Sequence, residues 1–201
     1  FYFVTHSEGA TEIEHMNPAL SGHERKSIVS LPANTKVTSL DLSLGGRFLA
    51  ATIDDRIAVI NIDKKELVYI SDDMAIVYPP IWTNSEADLT YARLENNIPV
   101  LYEYNLDKQQ HVRLKTGFIA KRTLSIDESL LLDDEYNLWH FNHQTQSQNL
   151  IAQLPSGSPN RWVIHDENLY FTSRIENVAM INRVRLGTDM AEAKELAKNR
   201  F

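Results

Sequence analysis

The stretch Leu89-Thr90-Tyr91-Ala92-Arg93, running on to Leu101-Tyr102-Glu103-Tyr104-Asn105, decides the fold. It aligns without gaps on Phe1-Tyr2-Phe3-Val4-Thr5 through Ile13-Glu14-His15-Met16-Asn17. It aligns again on Leu169-Tyr170-Phe171-Thr172-Ser173 through Ile181-Asn182-Arg183-Val184. Two further copies have a shorter central turn: Leu49-Ala50-Ala51-Thr52 to Ile57-Ala58-Val59-Ile60-Asn61, and Leu131-Leu132 to Leu138-Trp139-His140-Phe141-Asn142. The first apolar residues, Phe1, Leu49, Leu89, Leu131 and Leu169, are spaced by 48, 40, 42 and 38 positions. A period near 40 is that of a four-stranded β unit, the blade of a propeller.

Other columns keep the register. Seven residues before the anchor stand Leu42, Trp82, Leu124 and Trp162; six before it stand Ser43, Thr83, Ser125 and, as the exception, Val163. Asn17, Asn61, Asn105 and Asn142 follow the third strand of four copies, where asparagine tolerates left-handed backbone and hydrogen-bonds its own turn. The pattern predicts strands at about 37–42, 47–53, 56–62 and 66–71 in the second copy. In the third they fall at 77–82, 89–94, 100–105 and 110–115, and in the fourth at 120–125, 129–133, 137–142 and 149–154. The first copy lacks its innermost strand and the last its outermost. Pro79-Pro80 stiffens the entry to an inner strand.

The expected architecture is therefore all-β: a propeller of four-stranded antiparallel blades, about five of them within 201 residues. The blades fall at 1–31, 37–71, 76–115, 119–154 and 160–187, and residues 188–201 form a short helical tail. Asp189 with Glu192 makes a capping-box pattern, and Met190, Ala193 and Leu196-Ala197 share a helical face. Incomplete repeats leave strand edges that invite pairing and oligomer contacts. The expectation is part of a six- or seven-bladed ring, with a five-bladed ring closed by its own ends as the alternative. Phe1-Tyr2-Phe3-Val4 opens like a strand, with neither an initiator Met nor the regions of a signal peptide, so the chain reads as cropped.

Leu42-Ser43-Leu44-Gly45-Gly46-Arg47-Phe48-Leu49-Ala50 resembles the aromatic-Ser-Pro-Asp-Gly-x-x-apolar signature of TolB-type propeller repeats, distant relatives of WD repeats. Trp82-Thr83-Asn84-Ser85-Glu86-Ala87-Asp88-Leu89 and Leu124-Ser125-Ile126-Asp127-Glu128-Ser129-Leu130-Leu131 are weaker versions, and Gly46 and Asp127 are remnants of the Pro-Asp-Gly. The resemblance implies a propeller. Its family includes periplasmic TolB, the propellers of oligopeptidases, and the extracytoplasmic halves of membrane-bound regulators of the ToxR/CadC type.

Formal net charge is −7 and pI about 5.5, against a nucleic-acid surface. There is no cysteine, hence no disulfide or thiol nucleophile. Hydrophobic residues make up 43%, and no run of 18 apolar residues offers a transmembrane helix. No G-x-S-x-G elbow, zincin motif, P-loop or EF-hand loop occurs, so no catalytic residue, cofactor or metal is assigned. His140-x-x-His143 is the nearest approach to a metal pair, and it reads as polar strand and turn positions.

Acids mark every turn between second and third strands: Glu8, Asp54 and Asp55, Glu95, Asp133 with Asp134 and Glu135, and Glu176. In a propeller these turns share one face, where like charges attract a cation, a basic peptide or a polyamine. The plainer reading is that Asp suits tight turns. Lys36, Lys115, Lys121, Arg122 and Arg161 lie near the inter-blade connections, placed to neutralise the ring. Trp82 and Trp162 read as blade-packing residues rather than ligand platforms, and Lys64-Lys65-Glu66 as a solvated turn.

The functional expectation is a non-catalytic interaction or sensing module that binds protein or peptide. It would serve as the extracytoplasmic sensor of a membrane-bound bacterial transcription regulator, joined to the membrane only through upstream residues. The alternatives are a TolB-like periplasmic scaffold and the propeller of an oligopeptidase-like or glycan-processing enzyme. The expected location is periplasmic or extracytoplasmic, with a cytoplasmic one left open.

Overall fold

The computed structural model describes residues 1–17, 24–71, 77–83, 85–125, 128–154, 162–165, 168–175, 178–185, 191–192 and 194–200. The chain divides into two compact units, residues 1–126 and 127–201.

In the first unit each repeat folds back and forth on itself. The first sheet has three strands, β1 (Tyr2–His6), β2 (Ala10–Met16) and β3 (Arg25–Pro32), in that spatial order. The second has four: β4 (Val37–Leu42), β5 (Phe48–Ile53), β6 (Arg56–Asn61) and β7 (Glu66–Tyr69). The third has β8 (Val77–Trp82), β9 (Asp88–Glu95), β10 (Ile98–Asn105) and β11 (Gln110–Thr116). All pairings are antiparallel between chain neighbours, as short turns require. β12 (Phe118–Ser125) ends the unit, where the first strand of the fourth repeat was expected.

Strand alternation sorts the side chains of the second sheet into two cores. Leu49, Ala51, Ile53, Ala58 and Ile60 face the first sheet and pack with Ile13, Ile28 and Leu31. Ala50, Ile57 and Val59 face the third sheet and pack with Trp82, Leu89, Tyr91 and Tyr104. Because both faces are covered, β5 and β6 read as continuous apolar runs, whereas outer β7 alternates. Each fully buried aliphatic side chain contributes roughly 1.5–3 kcal/mol.

The second unit holds β13 (Glu128–Asp133), β14 (Asn137–Asn142) and β15 (Gln148–Gln153), antiparallel in order. Its second sheet begins with β16 (Trp162–His165), β17 (Asn168–Ile175) and β18 (Val178–Arg185). β19 (Ala191–Glu192) runs parallel to β15, and β20 (Lys194–Arg200) lies antiparallel along β18.

Two expectations are corrected here. Among the described residues of the expected helical tail at 188–201 there is no helix, and β20 is a strand. It also supplies the outermost strand that the last repeat was expected to lack, pairing from Val178↔Arg200 to Arg183↔Lys194. A helix of about ten residues is marginal alone, whereas the same backbone laid along β18 satisfies an otherwise open edge. Capping pattern is a local preference; the waiting sheet edge is a tertiary one. Pro79 and Pro80 lie within β8, inside the strand predicted at 77–82 and not in the connection leading to it. The β8–β9 register slips between Tyr78 and Ile81, across the two residues that cannot donate to the ladder.

The Ser/Thr and Asn columns have local work. Ser43 and Thr83 close the turn from first to second strand: the Ser43 N–H donates to the Phe48 carbonyl (2.9 Å) and the Thr83 N–H to the Asp88 carbonyl (3.0 Å). Asn61, Asn105 and Asn142 accept from the N–H three residues on, at Lys64 (3.0 Å), Lys108 (2.8 Å) and Thr145 (2.9 Å). The left-handed residue is not the asparagine. It comes four places later, at Lys65, Gln109 and Gln146, with φ of 57°, 50° and 56°.

Candidate functional site

The turn acids have specific local roles. Asp54-Asp55 and Asn96-Asn97 occupy two-residue hairpins in which both residues have positive φ, 47° and 58° in the first and 51° and 65° in the second. These are type I′ turns, whose twist matches the flanking strands. The Asp54 carboxylate accepts from the Lys36 N–H (2.8 Å), and the Lys36 ammonium lies 3.9 Å from Asp55, both side chains being mostly exposed. Glu95 ends β9 and accepts from the Arg93 Nε (2.9 Å), the Arg113 guanidinium (3.4 Å) and the Tyr102 hydroxyl. The hydrogen bonds from Tyr102 and Arg93 hold its carboxyl below the usual range.

In the second unit, Asp133 accepts from the backbone N–H of Glu135 (3.0 Å) and Asn137 (2.8 Å), the Asn137 amide (3.0 Å) and the Trp139 indole (2.8 Å). Burial pushes its carboxyl up, but these bonds prevail and hold it below the usual range. Glu8 and Asp134 sit in exposed turns, and Glu135 accepts a long bond (3.4 Å) from Asn137. Glu176 and Arg161 lie outside the described residues, as do the side chains of Trp162, Lys121 and Arg122. Lys115 stacks over Phe118, 4.6 Å from the ring centre. The bonded carboxylates thus serve their own repeats.

The histidines and the nearest Ser–His pair are also engaged inside one sheet. His140 Nε2 is 3.4 Å from Glu128, while His143 Nε2 is 2.8 Å from the Ser129 hydroxyl. The two rings use different partners, and among the described residues no three potential ligands converge as a metal site. Ser129 is only 2% exposed, so its hydroxyl ties β13 to the turn after β14 rather than meeting solvent. Trp82 is buried against the second sheet, with its ring stacked 6.0 Å from Phe48, as a packing residue should be.

What the sequence did not disclose is an open cleft of about 340 Å³ between the second and third sheets. Its floor is Phe48, Val59, Ile70, Tyr104 and Leu106. These residues continue the packed core outward to where the two sheets no longer touch. Its rim is Asn61, Lys64, Glu66, Val68, Asp107 and Gln109. Among the described residues the Lys64, Glu66 and Asp107 side chains make no hydrogen bond or ion pair, and Val68 is 59% exposed. Deeper in the same sheet pair, the Tyr91 hydroxyl meets His111 Nδ1 at 3.0 Å, and Tyr91 stacks on Tyr102 at 5.7 Å. Only the exposed Val68 amid the alternation of β7 hinted at the cleft.

No family model and no curated protein matches the chain. Solved structures do. TolB from Acinetobacter baumannii superposes with a TM-score of 0.75 at 12% identity, over 98% of this chain and 52% of that one. A fungal β-propeller domain, that of Cps50 (Swd1) from Myceliophteria thermophila, gives 0.63 at 14%, over 100% and 68%. The chain has the β-propeller fold. A nidogen/laminin complex gives 0.69 at 15% identity, over 99% of this propeller and 74% of that chain. The propeller described here spans about half the length of the Acinetobacter TolB. At these identities the likeness is one of fold, and fold leaves function to the site.

Proposed function

We propose that this propeller is a non-catalytic module that binds protein or peptide. The observation that carries the proposal is the contrast between its polar groups. Those suited to chemistry, such as Ser129 with His143 and Glu95 with Arg93, are engaged inside their own sheets. The unengaged ones, Lys64, Glu66 and Asp107, ring an apolar cleft open to solvent. Such a site holds a ligand by burial and rim contacts. The matched nidogen/laminin structure, a complex of two proteins, is consistent with this use of the fold.

The finer reading is an extracytoplasmic sensor belonging to a membrane-bound bacterial transcription regulator, with its DNA-binding part elsewhere in the protein. The TolB-type signature around Gly45-Gly46 supports the extracytoplasmic setting, and the net charge of −7 fits a chain that does not itself touch nucleic acid. A TolB-like envelope scaffold is the same module without the regulator. The test pairs two measurements on the purified protein. Photo-crosslinkers on surface positions around the sheets should capture one defined partner. Turnover on peptide and oligosaccharide substrates should stay at background. Turnover that co-purifies with the chain, or a surface that captures nothing, would overturn the reading.

A further inference from the structure

The rim of the cleft is specific enough to name the chemistry of its occupant. Glu66 and Val68 alternate along β7 on the side facing the third sheet, as pairing with Asn61 and Val59 requires, and Ile70 follows just past its end. β7 is also the outermost strand of its sheet, and among the described residues no strand pairs with its other edge. The site thus combines a free backbone edge with an apolar trough beside it. Two unpartnered carboxylates, Glu66 from β7 and Asp107 from the turn after β10, stand against a single ammonium, Lys64.

We infer that the cleft binds an extended peptide segment that carries a β-branched residue and, two places along, a basic one, added as a further strand along β7. This rests on the binding-module reading above and gives it a ligand class. Strand addition supplies main-chain hydrogen bonds, and alternate side chains read the neighbouring pockets. A residue opposite Val68 packs against Val68 at the mouth of the trough floored by Val59, Ile70, Tyr104 and Leu106. A residue two places along falls opposite Glu66 and within reach of Asp107, so a guanidinium or ammonium there neutralises both carboxylates. An acidic residue at that place meets like charges. Lys64, at the end of the strand, opposes the basic charge and sets its position along the trough.

The probe is acetyl-Thr-Val-Thr-Arg-Thr-amide, which sets Val and Arg two places apart on one face, compared with acetyl-Thr-Val-Thr-Glu-Thr-amide. Binding is read by calorimetry and by methyl chemical shifts of Val59, Val68 and Ile70. The basic peptide should bind saturably and shift those methyls, and the acidic one should bind at least ~10-fold more weakly. Glu66→Lys should weaken the basic peptide by roughly 10-fold, and Lys64→Glu should tighten it severalfold, an opposite sign that a folding defect cannot imitate. Both variants should melt within a few degrees of the parent. Equal affinity for the two peptides, no binding of the basic one, or binding indifferent to both substitutions would overturn the inference. Those outcomes leave the binding-module reading standing, because that reading falls only to turnover or to a surface that captures nothing.

Discussion

Trp82 donates twice to Asp41, the residue 41 places earlier and in the preceding repeat. Its backbone N–H reaches the Asp41 carboxylate at 2.8 Å and its indole Nε1–H reaches the Asp41 carbonyl at 3.0 Å. The pair stitches β8 to β4 at the point where the two sheets pack.

Removing that stitch should cost stability in a graded way. Asp41→Ala leaves the buried Trp82 N–H without its acceptor, a loss of about 1–3 kcal/mol. Trp82→Phe keeps most of the apolar area and loses the indole bond, about 1 kcal/mol. Trp82→Ala opens a cavity and should cost about 3–5 kcal/mol. Urea denaturation followed by circular dichroism gives the order; Asp41→Ala matching the parent would remove the stitch from the stability of the fold.

The left-handed residues in the turns from third to fourth strands predict a gain. Gln109 sits at φ 50°, where a side chain crowds the backbone at a cost of roughly 1–2 kcal/mol. Gln109→Gly should raise stability by about 0.5–1 kcal/mol once glycine's extra freedom in the unfolded chain is subtracted. Asn105→Ala, four residues earlier, removes the acceptor for the Lys108 N–H and should lower stability by about 1 kcal/mol. Opposite shifts in melting temperature are the expected result.

Acid should weaken the hairpins built on Glu95 and Asp133. Both carboxyls titrate below their usual range in the folded chain. Their contribution is therefore complete above the unfolded carboxylate range, near pH 4, and is lost as pH falls through the folded values. Asp133→Asn keeps an oxygen for the Glu135 and Asn137 N–H groups but puts an amide donor where the Trp139 indole and the Asn137 amide need an acceptor. It should lower the melting temperature at pH 7 and flatten its fall in acid; an unchanged acid limb would count against the assignment.

Alkali should act through Tyr91. Burial, the largest influence, pushes its phenol up to about 12. An unfolded tyrosine ionises near 10, so the unfolded state sheds its proton first. The stabilisation is complete below about pH 10 and is lost as pH rises toward 12. Ultraviolet titration of phenolate should show exposed tyrosines ionising first and a lagging component at higher pH, and Tyr91→Phe should reduce that component.

The sequence carried the strands further than the site. A column such as Asn61, Asn105 and Asn142 is legible because a turn needs the same hydrogen bond in every copy. The inner strands of the second and third repeats fall at 37–42 and 77–82, as the register predicted. The β20 strand was missed because the sequence of residues 189–197 carries a capping and helical-face pattern, and only the open edge of β18 outweighs it. The turn acids were legible as residues but not as partners. Glu95 meets Arg93, Tyr102 and Arg113 because cross-strand pairing brings those positions to one face.

Sequence alone thus determined the repeat, its strands, their alternation and the absence of a thiol or a linear catalytic motif, since each depends on short-range spacing. Tertiary structure decided which acids are bonded, what the C-terminal stretch becomes, and that Lys64, Glu66 and Asp107 surround an apolar cleft. Those outcomes depend on how neighbouring sheets meet and where they part, and that geometry joins residues some 40 positions apart.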